Sequence, residues 1–278
     1  MKPKAPALRY HGSKWRDAAR IIRCFPPHLT YVEPYAGSAA VLLQKAPSRF
    51  EVLNDLYGDV TTFFQILRDQ PQQLIRSIEL TPYSRKELAL AFQITSDPLE
   101  TARRFYVRSW QGWGAGALGD KKGWRFMHSP TRSTSVAEDW QRTEHLGDIA
   151  QRLRQVQIEC TPALEILKRM DTPHTLFFLD PPYLLKTRKG SAAPSSQYVF
   201  DMDETGHQEL ATQLQAIQGM AILCGRPSAL YEELYAGWSS MTWQSQTNGG
   251  GAGAECLWLS PKASAALEQV QLNLELSS

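Results

Sequence analysis

The chain is poor in the features that mark secreted, membrane-bound or metal-dependent proteins. Its four cysteines, Cys24, Cys160, Cys224 and Cys256, lie far apart and form no C-x-x-C pair. This excludes a disulfide-framed scaffold or a zinc knuckle and suits reduced thiols. There is no H-E-x-x-H and no cluster of Cys and His, so no metal is expected. No apolar run is long enough to span a bilayer, and the opening "MKPKAPALRYHGSKWR" lacks the apolar core of a signal peptide. A cytoplasmic location is the expectation. An excess of one charge is missing too. The net charge is +2, so a polyanion would have to be met by local clusters rather than by the field of the whole molecule. No internal repeat is present, and the low-complexity stretches "KGSAAPSS" and "NGGGAGA" are short and read as loops.

What is present is an ordinary globular composition, 42% hydrophobic and 21% charged, over 278 residues. That length allows one sizeable α/β domain with an insertion. Strand-like runs occur at "TYVEPY", "FEVLND", "VQIEC", "TLFFLD", "MAILCG", "SMTWQSQT" and "ECLWLSP". Helical patterns follow several of them, namely "GSAAVLLQKA", "TPALEILKRM", "DETGHQELATQLQAIQ" and "PSALYEELYAG". Alternation of this kind implies a parallel sheet with helices on its faces. Between the second and third runs only helical patterns occur, from "DVTTFFQILRD" to "VAEDWQRTEHLGDIAQRLRQ". The chain therefore reads as an α/β core, 1–57 and 156–278, interrupted by a mostly helical insertion, 58–155.

Two stretches carry chemistry. "TLFFLDPPYLL" is a buried strand pattern ending in Asp180, Pro181, Pro182 and Tyr183. Prolines fix their own φ and extend the residue before them, so this is a stiff bracket holding a carboxylate, free carbonyls and a ring at a strand's carboxyl end. "YVEPYAGSAAV" is a strand, a small-residue turn and a helix start, where backbone can approach a ligand. It is not a G-x-G-x-x-G and has no P-loop lysine, which favours a nucleoside without phosphates over ATP. Asp55, eighteen positions after Gly37 and at the end of "FEVLND", is placed to accept from ribose hydroxyls. Upstream, Arg16, Arg20 and Arg23 make a solvated stripe, whereas Lys14 opens that helix and can meet a carboxylate or a phosphate.

Taken in order, "RYHGSK", "EPYAGS", "ND" and "DPPY", with a helical insertion before the last, resemble the Dam-like family of DNA adenine-N6 methyltransferases. The likeness extends through "QYVFDMDETGHQELATQLQAIQG", "ALYEELYAGW" and "ECLWLSP", which are similar to phage-borne members. The resemblance implies an α/β, class I methyltransferase, Rossmann-like seven-stranded mixed sheet with the last strand antiparallel. It also implies an inserted, mostly helical target-recognition domain, and S-adenosylmethionine as the methyl donor. By the same resemblance Tyr10, Lys14, Glu33, Tyr35, Gly37, Asp55 and Asp180 would bind the cofactor, and Asp180 to Tyr183 would be catalytic. Three positions depart from the family pattern: Tyr35 replaces a usual phenylalanine, Ala39 a frequent second glycine, and "ILCGRPS", with Arg226, a frequent Ser-Gly-Tyr.

The expected partner is double-stranded DNA, with a cognate nuclease or a prophage setting left open. Basic residues interleaved with aromatics in "QGWGAGALGDKKGWRF" make Gln111, Trp113, Lys121, Lys122 and Arg125 candidates for DNA contact. Lys186, Arg188 and Lys189, directly after the bracket, are further candidates, whereas Arg103 and Arg104 read as helix surface. The bracket chemistry would also suit cytosine N4 or adenine in RNA, and a non-catalytic DNA-binding relative that has lost cofactor use remains the rival from another class.

Overall fold

The computed structural model describes residues 3–112, 123–126, 135–188, 198–246 and 252–276. All the strand-like runs become strands: β1 (Thr30–Glu33), β2 (Phe50–Asn54), β3 (Val156–Glu159), β4 (Thr175–Leu179), β5 (Met220–Gly225), β6 (Ser239–Gln246) and β7 (Ala252–Leu259). They form one seven-stranded sheet in the order β3-β2-β1-β4-β5-β7-β6. The first five are parallel, while β7 runs antiparallel to both neighbours, pairing its Trp258 with Leu223 of β5 and its Glu255 with Trp243 of β6. β4 and β5 are buried at every position, which is why they read as unbroken apolar runs rather than alternating ones. The mixed sheet expected from the family resemblance is present.

The helices are α1 (Ala18–Ile22), α2 (Ala40–Gln44), α3 (Gly58–Asp69), α4 (Pro71–Glu79), α5 (Arg85–Leu90) and α6 (Pro98–Gln111), followed by α7 (Val136–Gln141), α8 (Glu144–Leu153), α9 (Ala163–Met170), α10 (Glu204–Ala216), α11 (Ala229–Leu234) and α12 (Pro261–Leu276). Local chemistry sets their starts. Ser84, Asp97, Asp203 and Ser228 each accept an amide hydrogen of the first turn, and Ser135 and Glu138 form a reciprocal capping box. The continuous helical pattern expected over 136–155 is split at Arg142–Thr143. There Trp140 donates its indole N–H to the Thr81 carbonyl, and Thr143 bonds Glu79, so the chain turns to meet α4. Lys14 does not open α1; it lies in a turn four residues before the helix, and its side chain is buried.

Residues 58–155 are an insertion in chain order but not in packing. Phe63, Phe64, Phe105, Tyr106, Leu146 and Ile149 share one buried cluster with Tyr31, Leu53, Leu176 and Phe178 of the sheet. A buried ion cluster reinforces the join: Arg152 of α8 bonds Glu51 of β2 at 2.5 and 2.8 Å and also donates to the Leu42 carbonyl, while Lys45 bonds the same carboxylate at 2.6 Å. The amino-terminal segment is strapped to α6, since Arg9 N–H donates to Ser109 Oγ at 2.7 Å and Trp110 Nε1 donates to the Ala7 carbonyl at 3.0 Å. That strap fixes the approach of Tyr10 to the sheet.

The Ala39 departure has a backbone consequence. Ala39 is fully buried at φ +53°, the left-handed region that L-residues enter at a cost of roughly 1 kcal/mol. A glycine would sit there without strain. Ala39→Gly is expected to raise the unfolding free energy by about 0.5–1 kcal/mol in urea titration; a loss of stability would mean that the buried methyl packs well enough to outweigh the strain.

Candidate active site

The order of the sheet reverses between β1 and β4, because the chain leaves β1 toward β2 and β3 and returns to β4 on the other side. Crevices at such points, outside the carboxyl ends of the strands, are where open α/β sheets bind ligands. A cavity of about 240 Å³ lies there, and Tyr10, Lys14, Glu33, Tyr35, Gly37, Asp55 and Asp180 all line it. Sequence reasoning thus named seven residues, distant in the chain, that the fold brings around one space.

The turn after β1 makes its floor. Gly37 has φ +49°, and a Cβ there would come within 3.0 Å of the Tyr10 ring, so only glycine lets the ring cover the turn. Asp55, just after β2, accepts Gly37 N–H at 2.8 Å on one carboxylate oxygen and Tyr57 N–H at 2.9 Å on the other. Each oxygen keeps a lone pair for a ligand hydroxyl. Burial pushes the Asp55 carboxyl up to about 6, and the two amide hydrogen bonds restrain the rise. Glu33 lines the cavity, but its Oε1 accepts from Tyr31 hydroxyl at 2.7 Å and from Leu42 N–H at 2.6 Å, anchoring the uncapped first turn of α2. Burial pushes its carboxyl up to about 7. Burial likewise raises the Tyr35 and Tyr10 hydroxyls, so both stay neutral hydrogen-bonding rings.

The bracket forms the other wall. Lys14 Nζ donates to Asp180 Oδ2 and to the Gly12 carbonyl, both at 2.8 Å. Burial works against that charge, but the Asp180 and Glu255 carboxylates outweigh it and hold Lys14 well above the usual lysine range. Asp180 Oδ1 is buried without a hydrogen-bond partner. The Tyr183 ring stands beside this pair, with Lys14 Nζ 4.9 Å and the Arg226 guanidinium 5.8 Å from its centre. The hydroxyl of Tyr183 donates to Glu255 Oε2 at 2.5 Å. Pro182 reaches the cavity, and its carbonyl lies beside the buried ring of His207 on α10, which burial lowers to about 4 and so keeps neutral.

Several lining residues carried no sequence signal. Pro162, Ala163 and Leu164, at the start of α9, and the segment Tyr198 to Met202 close the cavity. Tyr198 packs edge-on against His11, and Phe200 against Tyr57. Apolar residues in loops have no period to reveal them. Ala39 does not line the cavity, so that departure acts through the backbone. Arg226 donates to the Thr187 carbonyl at 2.5 Å, which ties the end of β5 to the turn after the bracket.

The candidates for DNA contact divide. Trp113, Lys121, Lys122 and Lys189 lie outside the described residues. Gln111 is fully buried, its amide donating to the Pro82 carbonyl and accepting from Ser84 N–H, and Arg125 is buried near Asp139 with its carbonyl bonded by Tyr83 hydroxyl. Both side chains are thus turned into contacts with their own chain, Gln111 with the segment between α4 and α5 and Arg125 with α7. Arg188 is paired with Asp201 at 2.5 Å, while Lys186 is 78% exposed beside Glu204. Arg103 and Arg104 pair with Glu100 on their own helix, and Arg103 also bonds Glu87 of α5 and Thr81, with the two arginine side chains only 14% and 18% exposed. Among the described residues no group of His, Cys, Asp and Glu could hold a metal, and no helix is long and apolar enough to cross a membrane.

Sheet order and the crevice at its reversal give a seven-stranded mixed α/β, Rossmann-like fold, consistent with the class I architecture that the family resemblance implied. Residues 10–104 match the family model described as D12 class N6 adenine-specific DNA methyltransferase. Over 247 residues the chain is 22% identical to the DNA adenine methylases of two Vibrio cholerae serotype O1 strains, O395 and El Tor Inaba N16961, covering 85% of this chain and 87% of each relative. A SAM-dependent methyltransferase structure from Agrobacterium tumefaciens overlays with a TM-score of 0.35 at 10% identity, covering 89% of this chain; the chain spans 60% of that structure's length. The family model and the curated relatives bear out the resemblance to Dam-like DNA adenine-N6 methyltransferases that the motifs carried.

Proposed function

We propose that this chain transfers a methyl group from S-adenosylmethionine to the exocyclic N6 amine of an adenine extruded from double-stranded DNA. One observation carries the reading. Asp180 presents a buried, unbonded oxygen at the end of a stiff bracket, while its other oxygen is fixed by Lys14. An acceptor with no partner in a buried site is costly unless a donor arrives. The two N–H groups of an adenine amine are such donors, and a keto oxygen would be repelled.

The amine is a poor nucleophile because its lone pair is delocalised into the ring. Asp180 Oδ1 and the Pro181 carbonyl, accepting one N–H each, draw the nitrogen toward tetrahedral geometry and free that pair. Lys14 holds the carboxylate still and balances its charge, and Tyr183 supplies a flat face for the unstacked base. On the cofactor side, Asp55 accepts ribose hydroxyls, Tyr10 covers the Gly37 turn, and Glu33, Tyr35 and Gly37 shape the cavity. S-adenosylmethionine supplies a methyl group already activated on a sulfonium, so the protein contributes position and electrostatics. The helices of residues 58–155, with exposed Lys186 near the bracket, form the surface proposed for target recognition.

The direct test is transfer of labelled methyl from S-adenosylmethionine to unmethylated plasmid, followed by digestion to nucleosides. N6-methyl-2′-deoxyadenosine as the labelled product supports the reading; label on deoxycytidine, label taken up only by RNA offered in a parallel reaction, or no label on either overturns it. A pH profile checks the cofactor side. With Asp55 poised at about 6, the carboxylate is lost as pH falls through that value, so cofactor affinity is expected to fall by up to about 10-fold per unit below pH 6. Calorimetry on Asp55→Asn should remove that limb. An unchanged limb in the variant would assign the titration elsewhere.

A further inference from the structure

We infer that Glu255 is a positioning residue for the target base, acting through Tyr183; this rests on the methyltransferase reading above. A tyrosine at the end of a bracket has its backbone fixed by the prolines, but its ring orientation is not fixed by them. The backbone of residues 180–183 says where the ring starts, not where it faces. Something must hold its far end if the face is to be ready for a base.

Glu255 does this from a rigid place. It sits within β7, opposite Trp243 of β6, between two antiparallel neighbours, and it is only 9% exposed. Its Oε2 accepts the Tyr183 hydroxyl at 2.5 Å, the short distance of a hydrogen bond to a charged oxygen. A carboxylate rather than a neutral acceptor suits the surroundings. Lys14 and Arg226 both bring positive charge to the ring, and Asp180 and Glu255 balance them as two anions against two cations. The Glu255 charge also shares the attraction of Lys14, which would otherwise fall on Asp180 alone. No motif marks this residue; "ECLWLSP" reads as a strand, and only the fold brings Glu255 across 72 positions of chain to Tyr183.

Removing Glu255 should therefore resemble removing the tyrosine hydroxyl, and the two losses should overlap. The experiment measures methyl transfer to unmethylated plasmid, with kcat and KM for DNA, and cofactor affinity by calorimetry, on full-length protein. The variants are Glu255→Gln, Glu255→Ala, Tyr183→Phe and the double Tyr183→Phe/Glu255→Ala. Glu255→Ala is expected to lower kcat/KM for DNA about 10–100-fold, the scale of a lost hydrogen bond to a charged group, with cofactor affinity held. Glu255→Gln keeps an acceptor and should lose less. In the Tyr183→Phe background, adding Glu255→Ala should cost less than about 3-fold further, since the shared bond is already gone.

Multiplying losses in the double variant would overturn the inference, as would cofactor affinity falling in step with turnover, which marks Glu255 as part of the general structure. Unchanged kinetics in Glu255→Ala would overturn it too. These outcomes are distinct from failure of the function itself, which would show as no labelled DNA from the unmodified protein.

Discussion

Asp180→Ala is expected to lower methyl transfer to DNA by roughly 10²–10³-fold or more, the scale on which a charge-stabilising group is missed in a transition state. The variant removes the unbonded Oδ1 proposed to accept from the amine and the Oδ2 that Lys14 grips. The second loss complicates the first, because Lys14 would be left buried with the Glu255 carboxylate as its nearest counter-charge. Asp180→Asn separates the two effects. Its amide oxygen can still accept from Lys14, but the anion that polarises the amine is gone. Single-turnover transfer of label should therefore be nearly as poor in Asp180→Asn as in Asp180→Ala, with stability closer to the parent. Turnover within a few-fold of the parent in either variant would end the assignment of Asp180 to the reacting amine.

The second large effect is on stability. The Lys14–Asp180 pair is 7% and 19% exposed, with its atoms 2.8 Å apart. Deleting one partner of a buried pair leaves the other uncompensated and costs about 3–5 kcal/mol. Lys14→Met should lower the unfolding free energy by about 3 kcal/mol, the low end, because the Asp180 side chain keeps 19% of its surface exposed. Adding Asp180→Asn should restore most of the loss, since two neutral side chains of similar volume then face each other. The pH dependence has a definite sign. The lysine is held above its unfolded pKa of about 10.4, so its contribution is whole below that value and fades only as pH rises beyond it. Urea titrations of the parent, the single variant and the double variant decide the matter. A loss under about 1 kcal/mol in Lys14→Met would show that solvent already satisfies Asp180.

The two effects concern the same atoms, which is the more general point about this site. The bond that holds Asp180 in the place proposed for catalysis also keeps a buried lysine charged, and Glu255 and Arg226 complete the balance. The amino-terminal strap to α6 carries Tyr10 and leads on to Lys14, so the segment that covers the cofactor turn is held by a helix of the insertion. Substitutions at Ser109 or Trp110 would be felt in the cavity through that strap.

The sequence by itself determined the strands, most helices and the two motifs that define the chemistry. β4 and β5 are unbroken apolar runs because both faces are covered, and Asp-Pro-Pro-Tyr is stiff because proline geometry is local. Gly37 and Asp55 were legible because their spacing follows from a strand-turn-helix unit and the next strand. Tertiary structure decided the rest. Gln111 and Arg125 stand in a basic, aromatic stretch proposed to meet DNA, and the fold buries both, because composition does not say which side of a loop faces solvent. The left-handed backbone at Ala39, the loop residues Tyr198 to Met202 over the cavity and Glu255 behind Tyr183 depend on contacts between distant segments. Local chemistry is written in neighbouring residues; which lone pairs remain free, and which charges balance them, is set only when the chain closes on itself.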